Sequence, residues 1–270
     1  MSQEILKRFK IRAKKALGQN FLQDDFILEE IANTIEVEGN NIVEVWPGYW
    51  ALTEKILLQK PKNLDLVELD TDMISILEKR IDTNDFSIWE TNMKINHVDV
   101  LKYIPNFDTY DVIANIPYYI TSPILRHFLY ETDVKPRFMI ILMQDDVWEK
   151  ILWKKKNKSS VLSLFVEKKC FVSEIIKVPK ECFVPAPKIE SSVLMFESHD
   201  NYNEIDDVTF LQLIKSGFGE PRKKLSKNLI KWGFSKEKIH EVFQQLDLWE
   251  NTRWEDLNIG LWIALHKELI

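Results

Sequence analysis

Four consecutive residues, Asn115-Ile116-Pro117-Tyr118, follow directly on an apolar run, DVIAN (111–115), that reads as a β-strand. Their types suit one kind of chemistry. An amine conjugated to an aromatic ring, such as the exocyclic nitrogen of adenine, is a poor nucleophile because its lone pair is delocalised. A site that accepts hydrogen bonds from both N–H groups favours a tetrahedral nitrogen whose lone pair is available. Asn115 offers a side-chain oxygen, and Ile116 a backbone carbonyl exposed by the turn at Pro117. Tyr118 offers an aromatic face on which a flipped-out base can stack. No general base is required. The plainer reading is a strand-ending turn with Asn as turn former. The order of the four residues at a strand's carboxyl end favours the chemical reading.

Three further features lie upstream. The loop Glu44-Val45-Trp46-Pro47-Gly48-Tyr49-Trp50 follows the strand NIVEV, where a nucleotide-like ligand needs close backbone approach; only Gly48 provides it. Glu68, ending the next strand, can accept both hydroxyls of a ribose. Asp99, just past the third strand, can accept from an adenine amino group. A lone acid at a strand end is more often a cap, but two on consecutive strands, both ahead of Asn115, point to ligand binding.

These residues need a frame that brings strand ends together. Strands are expected at 41–45, 64–69, 94–98, 111–115 and 138–143, with helices at 24–35, 51–59, 72–81 and 122–130. That alternation indicates a parallel, doubly wound α/β sheet, which binds ligands at the carboxyl ends of its strands. Two more strands are expected at 170–178 and 191–197. A polar linker at 198–207 precedes helices alone: 208–218, 223–231, 236–246 and 259–269. The expected division is a catalytic domain at 1–198 and a small helical domain at 199–270.

Composition narrows the class. Apolar residues make up 45% and charged residues 29% of the 270, an ordinary globular balance. The basic beginning lacks the apolar stretch of a signal peptide, and no run reaches membrane-spanning length, so a cytoplasmic protein without membrane contact is expected. Cys170 and Cys182 match no metal or redox spacing and read as reduced structural thiols; no metal site is expected. Net charge is −6, yet cations cluster: Lys7 to Lys15, Lys150 to Lys158, and Arg222, Lys223, Lys224, Lys227 and Lys231. Such clusters are usually solvated faces. Flanking one site, they suit a phosphate backbone.

At this point the chain resembles the ribosomal RNA adenine N6-dimethyltransferases. The matching stretches are KKALGQNFLQD (14–24), EVWPGYWALT (44–53), VELD (67–70), NIPYYITSPIL (115–125), CFVPAPKIESSV (182–193) and FGEPRKKLSKNL (218–229). The resemblance implies a Rossmann-like S-adenosylmethionine-dependent domain followed by an all-helical one. It implies that Asn20 and Leu22 close over the cofactor, and that Glu44, the loop at Trp46 and Gly48, Glu68 and Asp99 hold it. It further implies that Asn115 is shared between cofactor and base, and that Phe183 faces the base opposite Tyr118; a core Phe beside prolines is an equal reading of that residue. LGQNFL and RKKLSKNL are more like the housekeeping branch than the macrolide-resistance branch. The former dimethylates two adjacent adenines near the 3′ end of small-subunit rRNA. The expected partner is thus small-subunit rRNA in a pre-30S particle, bound by a monomer. The alternatives are a non-catalytic assembly factor and a large-subunit rRNA methyltransferase.

The chain departs from the family at two glycines of the cofactor loop, here Trp46 and Trp50. Trp46 would project toward the methionine and ribose. The loop has lost cofactor binding, has been remodelled, or is glycine encoded by UGA and written as Trp. The last reading is favoured, because the chain has 7 glycines and 9 tryptophans where average usage gives roughly 19 glycines. It also suits Trp153, Trp249 and Trp254 in polar contexts and Trp232 at an expected helix end.

Overall fold

The computed structural model describes residues 14, 18–82, 91–117, 120–152 and 159–270. These divide into two compact units, one within 1–148 and 172–198, the other within 149–171 and 199–270.

The first unit is built on seven strands; the inner ones are buried on both faces, as the runs NIVEV and DVIAN require, while the two at the edges are largely exposed or half-buried. They are β2 (Asn41–Val45), β3 (Asn63–Glu68), β4 (Asn92–His97), β5 (Asp111–Asn115), β6 (Phe138–Gln144), β7 (Cys170–Val178) and β9 (Ser191–Ser198). Their order across the sheet is β4-β3-β2-β5-β6-β9-β7. The first five are parallel; β9 is antiparallel to β6. The sheet is therefore mixed, with the doubly wound part at its centre and an antiparallel strand added beyond β6, a common arrangement in large α/β sheets. Strand order reverses at β2, so the loops after β2 and β5 open a crevice at the strands' carboxyl ends.

Three asparagines set the register at the opposite end. Asn63 donates to Asn41 at 2.7 Å, Asn92 donates to Asn63 at 2.9 Å, and Asn41 donates to the Thr109 carbonyl at 2.8 Å.

Helix α1 (Asp25–Asn33) begins where Asp24 accepts from the Ile27 amide, and it buries Ile27, Leu28, Ile31 and Ala32 as one stripe. It packs with α2 (Ala51–Leu58). Helix α3 (Thr71–Asp82) follows β3, and α4 (Thr121–Arg126) follows β5 and continues into a π-helical turn at His127–Glu131. Two short strands, β1 (Phe21–Leu22) and β8 (Phe183–Val184), pair antiparallel, joining the N-terminal arm to the Pro-rich loop. Neither is visible as a strand in sequence, since two residues carry no periodicity.

Helices α5 (Asp145–Leu152) and α6 (Val161–Glu167) are also additions to the expected elements. Helix α6 starts in a reciprocal cap between Ser160 and Ser163. The second unit packs α6 with α7 (Asp207–Gly217), α8 (Leu225–Trp232), α9 (Lys236–Gln245) and α10 (Ile259–Leu269) around Phe210, Leu213, Leu225, Leu229 and Trp262. Among the described residues, no helix is long and apolar enough to cross a membrane.

Candidate active site

A cavity of about 630 Å³, open mouth included, lies at the carboxyl ends of β2, β3 and β5. Asn20 and Leu22 line it from the arm, Trp46 and Gly48 from the loop after β2, Glu68 from β3, and Asn115, Ile116 and Pro117 from β5. Residues as far apart in sequence as Trp46 and Pro117 thus meet because parallel strands aim their ends the same way.

The loop after β2 is a tight turn. The Trp50 amide donates to the Pro47 carbonyl at 3.0 Å, and Trp46 extends the β2–β3 ladder by donating to Val67 at 3.0 Å. Gly48 has φ of 56°, the left-handed region that glycine takes without cost. Trp46 and Trp50 have φ of 57° and 83°. Both therefore occupy backbone suited to glycine, at about 1–2 kcal/mol of strain each. Their side chains differ in fate. Trp46 lines the cavity. Trp50 is wholly buried in the core with Leu52, Ile56 and Leu77, and the Arg80 guanidinium sits 5.8 Å from its ring.

Glu68 is buried, and its Oε1 accepts from the amides of Leu69 and Asp70, both at 2.8 Å. Desolvation pushes its carboxyl up to about 7 against those bonds. Glu44 is buried beneath the loop, and neither of its oxygens accepts a hydrogen bond. Burial pushes it up to about 8; Thr53 lies near enough to pull it down without completing a bond. A carboxyl at such a value holds its proton at neutral pH, which removes the cost of a buried unpaired charge.

Glu44, Asp99 and Phe183 are not part of the cavity wall. Asp99 caps the short turn Val100–Lys102, accepting from the Leu101 amide at 3.1 Å. Phe183 is buried in the core cluster that contains Leu22 and Leu28. Tyr118 lies outside the described residues, as do Lys154 to Lys158 and all of the first basic cluster except Lys14.

Sequence reasoning overlooked the network that holds the arm. Asp70 accepts from Lys14 Nζ at 2.6 Å and from Gln19 Nε2 at 3.0 Å, and Lys14 also pairs with Asp72 at 2.6 Å. Hydrogen bonding to Lys14 and Gln19 holds the Asp70 carboxyl below its usual range, outweighing burial. The signal was present in VELD, where Asp70 stands two residues past Glu68.

In the second unit, Arg222 and Lys227 are exposed, while Lys223 and Lys231 both pair with Glu220 at 2.5 Å. Trp249 is 80% exposed and Trp232 is also exposed. Among the described residues, no group of three or more His, Cys, Asp or Glu is placed to hold a metal ion.

Comparison with known proteins agrees with this architecture. The solved structure of a dimethyladenosine transferase from Plasmodium falciparum superposes with a TM-score of 0.77 at 22% identity, over 91% of this chain and 95% of that one. The 23S rRNA methyltransferase ErmE superposes at 0.73 with 17% identity, over 93% and 99%. At those identities the likeness is one of fold. Sequence relatives are nearer. A ribosomal RNA small subunit methyltransferase A from Mycoplasma mobile is 37% identical over 258 residues, 95% of this chain and 98% of the relative. One from Fusobacterium nucleatum is 34% identical over 94% and 96%. The family described as ribosomal RNA adenine dimethylase matches residues 10–270, and with arm, loop, strand ends and helical unit in its order, the chain belongs to that enzyme family.

Proposed function

We propose that the protein transfers methyl groups from S-adenosylmethionine to the N6 amines of two adjacent adenines in the 3′-terminal hairpin of small-subunit rRNA. The observation that carries this is that Asn115 and Ile116, the two acceptors for an aromatic amine, line the same cavity as Glu68 and Gly48. Similarity to relatives named for the small subunit supports the choice of RNA.

The residues present fit the donor in part. Glu68 is a buried acid at the end of β3, suited to ribose hydroxyls, and Gly48 permits close backbone approach. Asn20 and Leu22 form the facing wall. Trp46 is the exception, an indole that lines the cavity from the loop after β2. Bound there, S-adenosylmethionine would supply an electrophilic methyl group. The chain's own part is to hold the amine. Asn115 Oδ1 and the Ile116 carbonyl accept its two N–H bonds and localise its lone pair, and Tyr118 stacks the base. Positioning supplies most of such a rate gain. The exposed cations of the helical unit grip the phosphate backbone, and a single chain suffices for binding a pre-30S particle.

Two titrations test this. S-Adenosylmethionine is titrated calorimetrically into the chain as written and into Trp46→Gly/Trp50→Gly. Binding by either supports the enzyme. Binding by neither leaves a non-catalytic assembly factor as the better account. Methyl transfer is then assayed on small-subunit particles and on isolated large-subunit RNA. Transfer to the large-subunit RNA alone would overturn the choice of substrate.

A further inference from the structure

The side chain of Tyr49 fastens the arm that walls the cavity to the loop after β2. Tyr49 sits between Gly48 and Trp50, is buried, and donates its hydroxyl to the Leu22 carbonyl at 2.7 Å. Its ring meets Phe21 edge-on with centroids 5.2 Å apart. Phe21 in turn lies over Gly48, where a Cβ would meet its ring at 3.6 Å. Tyr49 is itself held from behind, because Arg80 Nη1 donates to the Tyr49 carbonyl at 2.7 Å and its Nη2 pairs with Glu54. The Leu22 carbonyl belongs to β1, which pairs with β8, and the next amide, Gln23, donates to the Cys182 carbonyl at 2.8 Å.

Resting on the methyltransferase reading above, we propose that Tyr49 is a positioning residue for the transfer reaction: its hydroxyl sets the Asn20–Leu22 wall, and through β1 the β8 loop, at one height above the cofactor loop. A phenol is suited to this. It is rigid, has two rotatable angles, and its hydroxyl donates to the backbone carbonyl of a buried residue. The hydrogen bond joins the loop that would cradle the donor to the segment that covers it, so movement of either is felt by the other. Lys14 and Gln19 tie the other end of the arm to Asp70, leaving Asn20 between the two anchored ends.

The test replaces only the hydroxyl, with Tyr49→Phe, and uses Asp70→Asn as the control for the other anchor. Backbone hydrogen exchange is read on the full chain without ligand. Tyr49→Phe is expected to raise exchange at Gln23 and across the β1–β8 pair about tenfold, the equivalent of one buried hydrogen bond, while β2 and β5 amides stay protected. Asp70→Asn is expected to leave Gln23 protected. Unchanged exchange at Gln23 in Tyr49→Phe, or a uniform rise over the whole first unit, overturns the proposal.

The second readout separates positioning from mere support. In whichever background binds S-adenosylmethionine, the transfer rate at saturating donor and RNA is expected to fall about tenfold in Tyr49→Phe, with the thermal midpoint nearly unchanged. An unaltered saturated rate overturns the positioning role. If no background binds donor or methylates RNA, the enzyme reading fails, and local exchange at Gln23 still decides whether the hydroxyl fixes the arm.

Discussion

Trp46 and Trp50 hold the same left-handed backbone on either side of Gly48, yet one indole lines the cavity and the other fills the core. The two substitutions by glycine therefore have opposite expected outcomes. Trp46→Gly relieves about 1–2 kcal/mol of strain and clears the cavity wall, so S-adenosylmethionine affinity should rise at least tenfold by calorimetry. Trp50→Gly relieves the same strain but loses a buried side chain whose truncation costs about 3–5 kcal/mol. Its net cost should be about 2 kcal/mol in denaturant unfolding. Reading the two codons as UGG would end the decoding explanation.

Asn115 is expected to matter to rate more than to binding. Asn115→Ala removes one of the two acceptors proposed for the amine, with an expected loss of about 10²–10³ in kcat by analogy with other preorganised polar sites. Its thermal midpoint should stay close to the parent's. A variant that loses donor affinity and keeps kcat would assign Asn115 to the cofactor alone.

Stability should fall as pH rises, and Glu44 is a specific cause. Its carboxyl is raised from 4.5 to about 8 by burial, so the folded chain keeps a proton that the unfolded chain releases. Below pH 4.5 both states are protonated and nothing is lost. Between 4.5 and 8 stability declines, by up to about 1.4 kcal/mol per pH unit for one retained proton. Glu44→Gln should flatten that part of the profile in urea unfolding at pH 5, 7 and 9. Identical slopes for the two proteins would show that Glu44 finds a partner in solution.

RNA affinity should be salt-dependent despite the negative net charge. Glu220 already pairs with Lys223 and Lys231, whereas Arg222 and Lys227 are exposed to solvent. Lys227→Ala should lower the slope of log K against log salt by about one. Glu220→Gln should steepen it, by freeing two cations. Filter binding to a small-subunit rRNA hairpin between about 50 and 200 mM salt would show both.

The sheet and the C-terminal helices were legible because their signals are local and repeated. NIVEV, LDLVEL and DVIAN are too apolar for anything but buried strands, and Asp24, Asp206 and Asn258 cap the helices that follow them. Asn115, Glu68 and Gly48 were legible because each sits at a strand end, where this architecture collects its ligands. The arm's attachment was not. It depends on β1 and β8, two residues each and 162 positions apart, and on a tyrosine and an aspartate whose partners lie 27 and 56 positions away. Phe183 illustrates the same limit. Its neighbours in sequence are Cys182 and Val184, with Pro185 next, while its neighbours in space, Leu22 and Leu28, come from the arm and α1.

The asparagine ladder at the far end of the sheet has a bearing on all of this. Asn41, Asn63 and Asn92 are mutual partners in the strand register as well as through their side chains. They form a common baseline from which each strand is counted out, four residues to Val45 and five to Glu68. A slip of one residue in any strand would break an amide pair at the baseline and also raise or lower one loop at the rim. The ladder thus works as a ruler laid across the molecule, converting a match between three small side chains into the relative heights of groups some 15 Å away, at about 3.3 Å per residue.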